Sequence, residues 1–218
     1  MSARRNSIAA LIVLVAGVTN ASATTISIGT GAFGAGSTLT TFTGLADGTE
    51  VNGLTVNGIL FSYSLGNGQV IIDGGPGTTN DIAPPNVVSV GNNTGVLSLA
   101  FPTVIDRFGY GFAILATASI PNATTISLFD GATPVGSLTF PGVPDPTFTG
   151  GFAGIQSTIP FNRADVTFNS VGVAAFALDN VRTATPGTPT AVPEPATLLL
   201  LGSGLGVTAR YRRRRQQQ

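Results

Sequence analysis

The 218-residue chain contains no cysteine, no histidine and no lysine, and only 9% of its residues are charged. Disulfides, thiolate metal sites, imidazole catalysis, ordinary zinc sites and the usual Ser-His-Asp or Cys-His triads are therefore excluded. A formal charge of zero hides an asymmetry: seven of the ten arginines stand in the two ends, and the middle sets Arg107, Arg163 and Arg182 against nine carboxylates, a formal −6. Such a middle lacks the basic patch that nucleic acid requires, and its acidity suits solubility or cation binding.

Residues 1–23 read as a secretory signal peptide. Arg4 and Arg5 form a basic start, Ile8 to Val18 an apolar stretch, and Ala21-Ser22-Ala23 a small-x-small cleavage pattern, so the mature chain is expected to begin at Thr24. A twin-arginine signal fits less well, because Ser7 and Ile8 follow Asn6 where a bulky apolar pair is usual. An uncleaved N-terminal anchor is the other alternative. The Asn-x-Ser/Thr matches at Asn20, Asn92 and Asn122 read as chance in a chain rich in Asn and Thr.

Residues 24–182 are long enough for one domain with a substantial core. Gly, Thr, Ser, Asn and Val abound, which suits short strands and many turns. Period-two alternation predicts strands near 24–29, 58–65, 69–73, 86–90, 95–101, 103–116, 123–130, 134–140, 151–159, 163–169 and 174–182. In Phe108-Gly109-Tyr110-Gly111-Phe112-Ala113-Ile114 the large residues share one face, and the opposite face is bare enough for another backbone to approach. Phe101, Phe108, Tyr110, Phe112 and Phe168 are the expected core. Asn52-Gly53, Asn57-Gly58, Asn67-Gly68, Asp73-Gly74-Gly75, Gly91-Asn92-Asn93 and Asp130-Gly131 mark turns, with Asn-Gly and Asp-Gly supplying the positive φ of tight hairpins. About ten strands without intervening helices predict an all-β, jelly-roll-like β-sandwich. Arg107 beside Asp106 is expected to form an exposed pair worth little. Residues 183–191, with Pro186 and Pro189, read as a linker.

Residues 192–215 have three parts. Val192-Pro193-Glu194-Pro195 is held extended by its prolines. Ala196 to Ala209 is a 14-residue apolar run. As a helix it reaches about 21 Å, short of a bilayer core of about 30 Å, although Tyr211 and snorkelling arginines extend its reach. Arg210, Arg212, Arg213, Arg214 and Arg215 then favour retention on the cytoplasmic side. This order and spacing resembles the PEP-CTERM sorting signal of exported bacterial proteins. The resemblance implies recognition at Pro193, Glu194 and Pro195, and cleavage, by an exosortase, a membrane-embedded transpeptidase-like enzyme. A plain C-terminal anchor with a stop-transfer cluster is the alternative. A buried hairpin is opposed by the cost of burying unpaired arginines.

A second resemblance rests on Phe42 to Val51 before Val56 to Ser62, on Gly151 to Ile155, and on Phe176 to Val181. These stretches resemble parts of sandwich domains found in PEP-CTERM proteins, which are similar to carbohydrate-binding jelly rolls. In such domains a pair like Asp179-Asn180 either binds Ca²⁺ or braces the last strand, and Asp47 and Glu50 would add oxygens if the first and last strands are neighbours. No other cofactor is expected. Tyr63 is a candidate for stacking on a sugar.

Together these features predict an exported protein, held transiently at the inner membrane and then placed at the cell surface or in an exopolysaccharide matrix. Its expected role is structural or adhesive and not enzymatic, with an exosortase-type enzyme and extracellular polysaccharide as partners. The alternative is a carbohydrate-binding module, with or without dependence on calcium. A secreted hydrolase is a distant third, since nothing places two carboxylates together in a cleft.

Overall fold

The structure is a computed structural model that describes residues 23–90, 93–145, 147–169 and 175–187. The proposed leader up to Ser22 and the whole tail from Val192 lie outside the described residues. The described chain is all-β. Its strands are β1 (Thr25–Ser27), β2 (Ser37–Thr40), β3 (Thr55–Val56), β4 (Ile59–Tyr63), β5 (Val70–Asp73), β6 (Asn86–Ser89), β7 (Leu97–Ile114), β8 (Ile120–Asp130), β9 (Thr133–Asp145), β10 (Phe148–Phe168) and β11 (Phe176–Ala184), with one 3-10 turn at Thr30–Ala32. All eleven strands join one antiparallel sheet.

The alternating segments became strands where they were expected, with two differences. The runs 95–101 and 103–116 are a single strand, β7, and the runs 151–159 and 163–169 are a single strand, β10. Pro102 and Pro160 stand between those runs, and proline cannot donate to a ladder. The strands absorb them instead where pairing is irregular, with register shifts between Gln156 and Phe161 and between Phe161 and Arg163. Strands β2 and β3 carried no alternating apolar signal. β2 is a polar edge held by β11, and β3 is one arm of a hairpin. At that hairpin Asn57 and Gly58 have φ of 49° and 80°, the positive pair that a two-residue turn demands. β11 runs on to Ala184, two residues into the segment read as linker.

β7 and β10 pair with each other along most of their length and serve two halves of the sheet. In the first half, Leu97 to Ala100 of β7 pairs with β4, and Arg163 to Phe168 of β10 pairs with β8, which pairs with β9. In the second half, Arg107 to Ile114 of β7 pairs with β11, followed by β6 and β5, and Ile155 to Ser157 of β10 pairs with β1. Both halves contribute side chains to one apolar core. Tyr63, Phe176, Phe168, Phe112, Tyr110, Phe108, Phe101 and Phe161 form a continuous run of ring contacts through it. All five aromatic residues expected in the core are buried. The outer strand β9 carries Pro134, Pro141 and Pro144, which deny a donor row to any further strand.

Candidate functional site

The second half of the sheet turns an almost bare face outward. Gly109, Gly111 and Ala113 of β7 and Ala177 of β11 leave room there for backbone. The segment Thr79 to Ala83 lies across this face as a strap: a Cβ on Gly111 would meet the Asp81 carbonyl oxygen at 1.9 Å. Ile82, 2% exposed, packs against Ala113 and Ala177 beneath it. The strap is anchored at several points. The Ala83 N–H donates to Asp179 Oδ2 (3.1 Å), Asn180 Nδ2 donates to the Asp81 carbonyl (2.8 Å), and Arg182 Nη1 pairs with Asp81 Oδ2 (2.5 Å). At its start the Asn80 N–H donates to Asp145 Oδ2 (2.7 Å), and the Thr79 hydroxyl donates to the Asp145 carbonyl (3.0 Å).

This geometry assigns Asp179 and Asn180 to holding the strap. Asp179 is 2% exposed, and its Oδ1 has no hydrogen-bond partner among the described residues. Burial pushes its pKa above the ordinary carboxylate value, against the Asn180 and Ala83 amides, which lower it; Asp81 adds to the rise and Arg182 opposes it. Glu50 is occupied elsewhere, accepting from the Asn52 N–H (3.2 Å) and the Gly68 N–H (2.6 Å). Asp47 is exposed in the turn before it. The structure therefore does not bring the four candidate calcium ligands together by any shared contact, and among the described residues no three His, Cys, Asp or Glu side chains are placed to hold a metal ion.

Beside the strap lies an open, mainly apolar cleft of about 330 Å³. Val88, Ala113, Leu115, Phe148, Ala177 and the Gly75-Pro76 turn line it, with Asp73 as its one charged lining residue. The cleft could not be read from any single segment, because its lining comes from five strands and three connections. The bare face of β7 was its only signal.

Two expectations about surface residues change. Tyr63 is 3% exposed and its hydroxyl accepts from the Gly95 N–H (3.0 Å), so it belongs to the core and offers no sugar platform. Arg107 and Asp106 form a half-buried pair, with Nε to Oδ1 at 3.9 Å, and Arg107 Nη1 also donates to the Ala32 carbonyl at 3.4 Å. Of the export residues, Ala23 is described: it is half-buried and packs against the core. Ala21, Pro193, Glu194, Pro195, Arg210, Arg212, Arg213, Arg214 and Arg215 lie outside the described residues. Among the described residues no helix is long and apolar enough to cross a membrane.

Residues 191–215 match the family model of the PEP-CTERM protein-sorting motif. No curated protein matches the chain at a significant level. Among solved structures it is similar to the K2 cleaved adhesin domain of Lys-gingipain, at 14% identity over 70% of this chain and 100% of that chain, with a TM-score of 0.47. It is also similar to a family 29 carbohydrate-binding module, at 12% identity over 74% of this chain and 97% of that chain, with a TM-score of 0.37.

Proposed function

We propose that this chain, which carries a PEP-CTERM protein-sorting motif, is an exported surface or extracellular-matrix protein that an exosortase recognises at Pro193-Glu194-Pro195 and cleaves. The motif match at residues 191–215 carries the reading. The apolar run holds the tail in the inner membrane during transit, the arginines stop it on the cytoplasmic side, and the signal peptide directs the other end outward. The domain between them is a jelly-roll-like sandwich, a reading supported by the ring contacts that join its two halves. Its role is structural or adhesive and not enzymatic.

Intact mass of the mature protein from the native host tests this reading. The wild type is expected to have lost its tail, and a variant with Pro193, Glu194 and Pro195 replaced by alanine to keep it. An intact tail in both would leave a plain membrane anchor.

A second reading, a carbohydrate-binding module, is supported by the cleft that Phe148 and the Gly75-Pro76 turn help to line. Its size and apolar lining with a single carboxylate suit a small neutral ligand. A glycan array probed with the wild type and with Phe148→Ala, with and without chelator, tests it. Signal that survives Phe148→Ala places any binding elsewhere, and signal that survives chelator removes calcium from the mechanism.

A further inference from the structure

A second open cleft, of about 320 Å³, lies where β2 begins and β11 stops. Its volume falls at the lower end of small-molecule sites, about 300–1,000 Å³. Ser37 of β2 pairs with Ala184 of β11, and Ala184 pairs with Arg107 of β7. Directly opposed residues of antiparallel strands share a face. The three therefore stand in one row, and its outer members are two strand spacings, about 10 Å, apart. Ala184 brings only a methyl group between them. The turn from Gly34 to Ser37 and the exposed segment from Thr185 to Gly187 complete the lining.

Arg107 is the one charged lining residue of this cleft, and it is poorly partnered. A guanidinium has five N–H donors. The one hydrogen bond Arg107 makes among the described residues, from Nη1 to the Ala32 carbonyl, is 3.4 Å long, beyond the usual range of about 2.7–3.2 Å. Its Nε has no hydrogen-bond partner, and Asp106 Oδ1 stands 3.9 Å from it. The other two arginines of the domain are engaged: Arg182 pairs with Asp81 and donates to the Asn180 carbonyl (3.2 Å), and Arg163 stands 3.2 Å from Asp165 and over the Phe129 ring.

A guanidinium fork matches a planar two-oxygen anion. A single guanidinium with a carboxylate beside it suits a monoanion better than a phosphate dianion. The remaining lining is polar or small. Ser37 Oγ donates to the Gly34 carbonyl (2.8 Å), which leaves its lone pairs to accept from a ligand. Thr185 is exposed. No aromatic ring lines the cleft, so the body of the ligand is hydroxylated and not apolar. We propose that this cleft binds a sugar acid, with its carboxylate on Arg107 and its hydroxyls toward Ser37 and Thr185. The domain carries a formal −6, so capture is local to Arg107 and is not driven by the field of the whole protein.

The test is a titration of the uniformly ¹⁵N-labelled full-length protein, in detergent at about 0.15 M salt, where distant charges are screened beyond about 8 Å. The ligands are galacturonate, the neutral galactose and acetate. Galacturonate is expected to shift the Arg107 Nε–H and the Gly36 N–H along one saturation curve. Galactose and acetate are each expected to bind at least tenfold more weakly, and Arg107→Gln to weaken galacturonate at least tenfold. Galactose as strong as galacturonate, or binding unchanged in Arg107→Gln, removes the Arg107–carboxylate contact and overturns the proposal. Acetate as strong as galacturonate overturns the sugar-acid class. If Arg107→Gln does not fold, Arg107→Lys keeps the charge beside Asp106 and loses the fork. It should bind galacturonate at least threefold more weakly, and equal binding again overturns the proposal. Phe148→Ala should leave galacturonate binding unchanged, and loss of binding there would move the ligand to the cleft beside the strap. The site is independent of the export reading, which stands whatever the titration returns.

Discussion

Phe168 of β10 and Phe176 of β11 stack with ring centroids 4.1 Å apart and planes 11° from parallel. They belong to opposite halves of the folded sheet, so this contact fastens one half to the other. Both are nearly fully buried. Phe176→Ala is expected to cost about 3–5 kcal/mol, a fall in Tm of roughly 10 °C for a domain of this size. A double-mutant cycle with Phe168→Ala should return a coupling of about 1 kcal/mol. Additive losses in urea titrations would mean that the rings contribute burial alone.

Tyr110 and Thr124 form a second fastening between the halves. Their hydroxyl oxygens are 2.5 Å apart, and Thr124 also donates to the Thr167 carbonyl at 3.0 Å. The single threonine proton is committed to Thr167, so Tyr110 is the donor to Thr124. Burial accordingly pushes the phenol pKa well above its ordinary value. Tyr110→Phe removes the donor and should cost about 1 kcal/mol. Thr124→Val strands the buried Tyr110 hydroxyl and takes away the bond to Thr167, so it should cost more, about 2–3 kcal/mol. Denaturant midpoints in the reverse order would show that the proton runs the other way.

Gly111 is required by a close approach. Its missing Cβ leaves the space that the Asp81 carbonyl occupies. Gly111→Ala should therefore lift the strap at a cost of about 1–3 kcal/mol, and hydrogen exchange should quicken at Ala83, whose N–H is bonded to Asp179. Gly131→Ala is a useful contrast, since no atom lies within 4 Å of its would-be Cβ and its φ of 58° alone makes it costly. It should destabilise the β8–β9 turn while leaving exchange at Ala83 unchanged. Unchanged exchange in both variants would mean that the strap does not rest on Gly111.

How much of this was legible in the sequence depends on whether the signal was local. Alternation in β7 gave both its buried aromatic face and its bare one, because side chains on a strand alternate whatever the partner. Asn57-Gly58 gave its hairpin because the positive φ values are a property of those two residues. The strap was not legible. Thr79 to Ala83 has no periodicity, and its anchors Asp145, Asp179, Asn180 and Arg182 lie some 60 to 100 positions away. The same distance explains Asp179: a carboxylate followed by Asn at a strand end reads equally well as a cation ligand or a brace, and only the position of Ala83 distinguishes them. Tyr63 was ambiguous for a similar reason, since its burial depends on Gly95 lying close against its ring.

The buried carboxylate beneath the strap gives the stability of the domain a pH dependence of known sign. Folding holds the Asp179 pKa above its ordinary value, chiefly by burial, so the folded state favours the neutral acid. That contribution is fully present below the ordinary carboxylate pKa and is lost as pH rises through the higher folded value. The charged groups that face it are Asp81 on the strap and Arg182 on its own strand, while Gly111 opposite it on β7 brings none. Asp179→Asn keeps an acceptor for the Ala83 N–H and carries no charge at any pH. At pH 7 the variant should be more stable than the wild type by about 1 kcal/mol, or about 3 °C in Tm, and the difference should vanish toward pH 3. Melting curves of both proteins between pH 3 and pH 8 decide it. A variant that is less stable at pH 7 would mean that the Ala83 and Asn180 amides and Arg182 hold Asp179 as an anion, and the strap would then be secured by charge.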